Sequence, residues 1–110
     1  MDRLATYRQI IEKVLTEYAR IPYSHGQIDR LTVFDRERDH YLLMIAGWDK
    51  RREHGCIVHV DIIDGKFWIQ RDGTEYSITQ ELEDAGVPKE HIVLAFKSPE
   101  IRKHTGYAVA

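Results

Sequence analysis

The N-terminal part of the chain carries apolar side chains at helical spacing. These positions are Leu4, Tyr7, Ile11, Val14, Leu15 and Tyr18, and charged residues fill the opposite face. A stripe with this period predicts an amphipathic helix over residues 2–20 that needs a surface to cover. We expect Ile21-Pro22 to end it, because proline disfavours the helical conformation in the residue before it. Ser24-His25-Gly26 is then predicted to turn the chain.

The following stretch alternates between apolar runs and short polar clusters, which is typical of β-strands joined by turns. Strands are predicted at residues 27–35, 40–48, 53–63 and 66–71. Polar turns are predicted between them at 36–39, at 49–52 and at Asp64-Gly65, a dipeptide typical of a two-residue hairpin. The second strand is apolar on both faces, which favours a central place in the sheet.

The Asp64-Gly65 turn predicts which residues of its two strands pair. The expected pairs are Ile63 with Lys66, Ile62 with Phe67, Asp61 with Trp68, Val60 with Ile69, and His59 with Gln70. Side chains alternate between the faces of a strand, so Val58, Val60, Ile62, Phe67 and Ile69 are predicted to share the core face. The outer face then carries His59, Asp61, Lys66, Trp68 and Gln70. A tryptophan among polar residues on that face is the most informative feature for function.

The last third of the chain mixes helix and strand signals. Ser77 and Gln80 match a capping box at the start of a short helix. Its apolar face is Ile78, Leu82 and Ala85, and it is expected to end at Gly86 and Pro88. Residues 91–96 predict a fifth strand. Ser98 and Pro99 are typical of the start of a final helix, ended by Gly106.

Together these elements predict one α+β domain spanning residues 1–110. We expect an antiparallel β-sheet of four to five strands, a long N-terminal helix packed on one face, and short C-terminal helices. A chain of 110 residues has the usual size of a single domain.

Charge and cysteine content narrow the function. The net charge of −2 argues against autonomous DNA binding, which usually needs a basic excess. Cys56 is the single cysteine, so no disulfide can form within the chain. The N-terminus has no apolar signal-peptide core, and no apolar run is long enough to span a bilayer. We therefore expect a cytoplasmic protein with no membrane partner.

His59 and Asp61 are the candidate metal ligands. Two residues apart on one strand, they lie on the same face about 6–7 Å apart. A metal site needs three or four ligands, and His40 and Glu75 are the only further residues to nominate. The alternative is a polar outer face on which both groups are solvated or hydrogen-bonded. We expect no metal and no cofactor, and keep a small metal-dependent enzyme around His59 and Asp61 as an alternative.

Two other groups of residues superficially match catalytic sites. Asp64-Gly65-Lys66, with Asp49 upstream, resembles part of a nuclease site, but a tight turn explains the aspartate-glycine pair. Cys56, with His54 two residues before it, would need a lowered pKa to act as a nucleophile, and buried structural thiols are far more common. The sequence therefore predicts no catalytic residue.

Lys50, Arg51 and Arg52 form the candidate nucleic-acid contact. They lie in a predicted hairpin turn, where basic side chains usually remain solvated. A DNA-contacting recombination directionality factor that uses these residues is a second alternative, and strong salt-dependent binding of duplex DNA would favour it.

Several longer strings resemble one known family. They are Gly47-Trp48, Gly55-Cys56-Ile57-Val58-His59-Val60-Asp61-Ile62, Asp64-Gly65-Lys66-Phe67-Trp68-Ile69-Gln70, Asp72-Gly73-Thr74-Glu75, Ala85-Gly86-Val87-Pro88-Lys89-Glu90, Ile92-Val93-Leu94 and Thr105-Gly106-Tyr107-Ala108-Val109-Ala110. Taken together, the chain resembles the XisI-like excision-controlling factors over about its whole length. Two positions depart from the expected pattern: Lys97 stands in place of a histidine and Ala95 in place of a glycine.

This resemblance implies a regulatory role in DNA recombination. The family is named for a factor needed to excise the fdxN element, which interrupts a nitrogen-fixation gene region in cyanobacteria. A separate recombinase performs that reaction, and the factor acts with a second protein, XisH, whose fold is related to restriction endonucleases. The expected function is non-enzymatic control of site-specific excision as an adaptor for a XisH-like partner. A homo-oligomer is a further expected assembly, and DNA contact is expected to be weak or indirect.

Trp68 is the predicted centre of the partner-binding surface, with His59, Asp61 and Gln70 around it. Tryptophan is a preferred interface anchor because it buries a large area at little entropic cost. The alternative is that the first or last helix covers the outer face and makes Trp68 part of the core.

Overall fold

A computed structural model describes residues 2–22, 26–74 and 77–110. In chain order its elements are α1 (Arg3–Ala19), β1 (Gln27–Asp35), β2 (His40–Asp49), β3 (Arg51–Ile63), β4 (Lys66–Asp72), α2 (Ile78–Asp84), a 3₁₀ turn (Lys89–His91), β5 (Ile92–Leu94) and α3 (Pro99–Arg102). The predicted α+β class is confirmed. Ser24 and His25 of the predicted turn lie outside the described residues. No helix within the described ranges is both long and apolar enough to cross a bilayer.

The strands form one five-stranded sheet in the order β1-β2-β3-β4-β5. Hairpins join the first four strands, and each neighbouring pair is antiparallel as predicted. β5 instead runs parallel to β4, with Phe67 opposite Ile92. A parallel neighbour needs a crossover connection, and α2 with the 3₁₀ turn supplies it. β5 is also shorter than predicted, since residues 95 and 96 lie beyond it.

The β3–β4 register agrees with the prediction for every pair except the last. The four pairs from Ile63–Lys66 to Val60–Ile69 are confirmed, but His59 pairs with Arg71 rather than Gln70. An irregularity at this point inserts Gln70 as an extra residue, which simple alternation cannot anticipate. At the hairpin itself, Asp64 and Gly65 have φ values of 53° and 73°. Two consecutive positive φ angles are typical of the type I′ turn that aspartate-glycine predicts.

The predicted four-residue turn at 49–52 is wrong. Asp49 pairs directly with Arg51, so the chain reverses around Lys50 alone. Lys50 adopts a positive φ of 65°, a left-handed conformation that allows such a short reversal. Arg51 and Arg52 therefore belong to β3.

The core lies between α1 and one face of the sheet. The Tyr7 ring stacks on Phe67 with centroids 4.8 Å apart, and Ile11 and Leu15 are fully buried beside them. The predicted core-face residues are all buried, namely Val58, Val60, Ile62, Phe67 and Ile69. Ile78, Leu82, Val87 and Ile92 complete this cluster from the C-terminal third.

The predicted capping box of α2 is wrong. Ser77 occupies the N-cap position, but its side chain caps no backbone group and bonds instead to the hydroxyl of Thr79. The Asp72 carboxylate takes that role from the end of β4 and accepts the Ile78 N–H at 3.0 Å. Ala85, predicted on the apolar face, is exposed because it lies at the C-cap.

The last helix starts as predicted and ends early. The Ser98 hydroxyl accepts the Ile101 N–H, and Pro99 is the first helical residue. α3 ends at Arg102, before Gly106. The tail then returns to the sheet, where Ala108 forms a parallel bridge with Val93.

A partly buried ion pair ties α1 to the β1–β2 turn. Asp39 accepts hydrogen bonds from Arg8 Nε at 2.8 Å and Nη2 at 3.1 Å, and from the Tyr41 hydroxyl at 2.8 Å. The Arg8 hydrogen bond is the main cause that lowers the pKa of Asp39, although burial acts against it. The same burial, with Asp39 beside it, raises the pKa of Tyr41.

The lowered pKa of Asp39 predicts a pH-dependent contribution to stability. The ionised carboxylate stabilises the fold above about pH 4, the ordinary pKa of aspartate, and this stabilisation is lost as the pH falls through the lowered value. Asp39→Asn should therefore lower the melting temperature at pH 7, and the difference from wild type should shrink in acid. Thermal unfolding followed by circular dichroism across pH 2–7 measures this.

Asp64→Asn is the matched control for that experiment, because Asp64 is an exposed aspartate in a turn, with a positive φ of 53°. It should leave both the melting temperature and its pH profile near those of wild type. A difference in melting temperature between Asp39→Asn and wild type that stays constant from pH 7 to pH 2 would contradict the lowered pKa of Asp39.

A glycine is required at position 47, where the backbone of the paired strand β1 lies very close to that of β2. A Cβ at Gly47 would lie 2.0 Å from the Gln27 carbonyl oxygen and 2.6 Å from the Ile28 Cα. Gly47→Ala should destabilise the protein by about 1–3 kcal/mol, the usual cost of overpacking. Gly55→Ala on β3 is the control, since a Cβ there meets nothing within 4 Å. Urea denaturation measures both, and equal stability of the two variants would refute the close approach.

Candidate functional site

The candidate site lies on the sheet face opposite α1. Strand alternation places His59, Asp61, Trp68 and Gln70 there, as predicted, and the β2–β3 register brings His40 directly opposite Asp61. The core cluster that packs against α1 contains none of these residues. We call His40, His59, Asp61, Trp68 and Gln70 the outer-face cluster.

Asp61 is the centre of the outer-face cluster. It is only 8% exposed, although no helix of the core covers this face. The His40 Nδ1 lies 2.7 Å and the His59 Nε2 2.8 Å from Asp61 Oδ1, and Gln70 Nε2 donates to Oδ2 at 3.3 Å. An ionised carboxylate only accepts hydrogen bonds, so both rings donate to it. Three donors thus offset the cost of burying this carboxylate.

The bulge in β4 allows Gln70 to reach Asp61. Gln70 is the extra residue between the Val60–Ile69 and His59–Arg71 pairs. Its side chain is therefore not directly opposite His59, where the sequence placed it, and bonds instead to the neighbouring carboxylate. The predicted proximity of these residues is confirmed, while the predicted pairing that produced it is wrong.

Trp68 is half-buried, and the last helix contacts it. The guanidinium carbon of Arg102 lies 5.4 Å from the indole centroid, within the range of a cation–π contact. Arg102 is held there by bonds that it donates to the carbonyl oxygens of Leu94 and Ala95. The end of α3 thus covers part of the ring, and α1 lies on the other face. No sequence pattern signals this contact, because it joins distant segments through a single side chain.

Comparison with known proteins identifies the fold. The model of the family described as XisI protein matches residues 1–109. The chain belongs to the XisI family. A XisI-like protein from Anabaena variabilis has a crystal structure that matches with a TM-score of 0.89 at 39% identity, covering 97% of this chain and 99% of that one. The fdxN element excision controlling factor XisI from Anabaena variabilis matches with a TM-score of 0.83 at 34% identity, covering 99% and 100%. No curated protein matches the sequence.

The XisI fold separates the residues of the nuclease-like pattern. Asp49 ends β2 and Asp64 follows β3, so the 13 residues of β3 lie between them. At about 3.3 Å per residue the two carboxylates are roughly 40 Å apart. Lys66 is engaged elsewhere and donates to the Ala110 carbonyl at 2.6 Å. These residues therefore do not converge on one cation.

The candidate nucleic-acid contact, Lys50, Arg51 and Arg52, lies at the β2–β3 reversal. Lys50 is exposed, Arg51 pairs with Glu53 at 2.8 Å, and the Arg52 guanidinium lies 5.8 Å from the Trp48 ring centroid. Arg51 is ten residues before Asp61 on β3, or roughly 30 Å away. The candidate nucleic-acid contact and the outer-face cluster are thus separate surfaces of the molecule.

Cys56 is a free, partly buried thiol on β3. Its Sγ donates to the Val58 carbonyl at 3.2 Å, and burial raises the pKa of the thiol. A raised pKa leaves less thiolate at neutral pH, which is the opposite of what a nucleophile needs. The geometry therefore favours a structural role for Cys56.

This environment predicts slow reaction of Cys56 with a disulfide reagent. At pH 7 the folded protein should react several-fold more slowly than the same protein in denaturant, and its rate should rise only above the ordinary thiol pKa of about 8.5. Stopped-flow absorbance with an aromatic disulfide measures both rates. Reaction of the folded protein faster than that of the unfolded chain would instead indicate an activated thiolate.

Proposed function

We propose that this protein controls site-specific DNA excision without catalysing it, as a cytoplasmic adaptor for a XisH-like protein. The observation that carries the proposal is membership of the XisI family over residues 1–109, together with a relative named an fdxN element excision controlling factor at 34% identity over 99% of the chain. The proposal transfers that relative's named role to this chain.

The outer-face cluster is the surface that we assign to the partner. It contains a half-buried tryptophan beside a hydrogen-bonded carboxylate, two imidazoles and an amide. Interfaces typically combine an aromatic anchor with polar groups fixed in direction, and both are provided here by paired strands. An ordered surface of this kind loses little conformational entropy when a partner binds.

The distribution of charge supports a protein partner over direct DNA contact. The chain has a net charge of −2, and Arg51 already pairs with Glu53. A protein that binds duplex DNA alone usually presents several unpaired basic groups to phosphates. DNA contact through Lys50, Arg51 and Arg52 is thus the weaker hypothesis, and we expect any such contact to depend on the partner.

Trp68→Ala should strongly reduce capture of a XisH-like protein. The two proteins are co-expressed, this chain carries the affinity tag, and the recovered partner is quantified. Loss of a central aromatic anchor typically costs at least about 2 kcal/mol, so recovery should fall by more than ten-fold. Circular dichroism and the melting temperature of the variant establish that it remains folded.

Trp48→Ala is the matched control, because Trp48 is the other tryptophan and is 60% exposed on β2, beside the basic reversal. It should retain the partner. Loss of binding in Trp48→Ala alone would move the interface to that end of the sheet. Failure of the wild-type protein to bind would refute the adaptor role, and salt-dependent binding of duplex DNA by the isolated chain would then favour the directionality factor.

A further inference from the structure

His40, His59 and Asp61 bring three ligand atoms of metal-binding type together. One atom from each residue lies within 4.8 Å of the other two, and this is the one group of three such residues in the described ranges. Both ring nitrogens lie close to the same oxygen, at 2.7 and 2.8 Å from Asp61 Oδ1. Two imidazoles and a carboxylate are a ligand set used by zinc and other first-row transition metals.

The present spacing is close to what a metal ion requires. Zn²⁺ binds imidazole nitrogen and carboxylate oxygen at about 2.0–2.2 Å, so tetrahedral ligand atoms lie roughly 3.3–3.5 Å from one another. The two N···O distances of 2.7 and 2.8 Å would lengthen by about half an ångström. The two nitrogens, which are no more than 4.8 Å apart, would approach by at most about 1.5 Å.

The backbone and Gln70 hold this group in place. His40 and Asp61 are directly paired residues of β2 and β3, and His59 lies two residues from Asp61 on the same face. Gln70 donates to Oδ2, which orients the carboxylate with Oδ1 toward the rings. In protein metal sites the ligating carboxylates are typically hydrogen-bonded by a further side chain in this way. Ligands on paired strands are also held more firmly than ligands on loops.

We propose that His40, His59 and Asp61 bind one divalent transition-metal ion, with Zn²⁺ as the reference ion. His40 Nδ1, His59 Nε2 and Asp61 Oδ1 are the ligands. Each ring nitrogen gives up its hydrogen bond to Asp61 and binds the metal through its lone pair, so the proton of each neutral ring resides on its other nitrogen. The His40 side chain is 49% exposed, so a fourth coordination position faces solvent and accepts water or a ligand from another molecule. This site shares His40, His59 and Asp61 with the outer-face cluster that we assign to the partner, but Trp68 is not a ligand, and zinc binding is tested on the isolated chain.

The test is calorimetric titration of the chelator-treated protein with zinc chloride. We expect saturable binding of one ion per chain, and a loss of at least ten-fold in affinity for His40→Gln and for His59→Gln. His54→Gln is the matched control, because His54 is an exposed histidine on β3 outside the group. It should bind zinc as wild type does. Because His40 is exposed, His40→Gln tests the site without removing a core residue.

Two further readouts separate a built site from scattered surface histidines. Zinc should raise the melting temperature of wild type and His54→Gln but not of His40→Gln, since a ligand that binds the native state stabilises it. Cobalt should give the visible absorption of a tetrahedral complex with wild type and lose it with His59→Gln. Absence of saturable binding, or an equal loss in His54→Gln and His40→Gln, overturns the proposal. These measurements use the isolated chain, so their result is obtained separately from that of the partner-capture experiment.

Discussion

The rest of the structure depends on the burial of one face of the sheet against α1. Tyr7, Ile11 and Leu15 on the helix and Phe67 with its neighbours on the sheet exclude water from a single cluster. Burying apolar surface is the main favourable contribution to folding, so this contact decides which way every strand faces. The polar residues of β3 and β4 are placed on the other face as a consequence. The candidate site is therefore placed by the core, although it shares no residue with it.

Asp61 imposes the second constraint. A carboxylate that is only 8% exposed needs donors, and three side chains on three different strands supply them. His40 and His59 are fixed by strand pairing and Gln70 by the bulge in β4, so all three donors lie on strands rather than on a loop. The arrangement serves equally as a polar rim beside Trp68 and as a set of metal ligands. Both proposals rest on this one feature of the sheet: they share His40, His59 and Asp61, and the adaptor proposal adds Trp68 as the anchor.

The sequence was most informative where one local signal sufficed. The helical stripe of α1, the Asp64-Gly65 turn and the five core-face residues were all predicted, because periodicity and turn chemistry act over a few residues. It was least informative where a distant side chain replaced a local one. Asp72 rather than Ser77 bonds to the start of α2, and one side chain at the end of α3, Arg102, covers part of Trp68.

His40 illustrates the same limit within the candidate site. It was nominated as a third ligand only on its residue type, with no β2–β3 register predicted. The reversal at Lys50 would by itself place Val60 opposite His40. A bulge that leaves Ile57 unpaired shifts the pairing by one residue and places Asp61 there instead. Glu75, the other nominated ligand, lies outside the described residues.

The extra residue at Gln70 decides on which face of the sheet the following residues of β4 lie. With strict alternation Asp72 would be directed toward the outer face, whereas the insertion pairs it with Val58 and turns it toward the start of α2. Deletion of Gln70 would restore regular alternation after Ile69 and leave Arg71 opposite His59 and Asp72 opposite Val58. The start of α2 would keep its carboxylate, and Asp61 would lose the amide that donates to Oδ2. The bulge thus adds a donor to the outer face of β4 without disturbing the residue that begins the next helix.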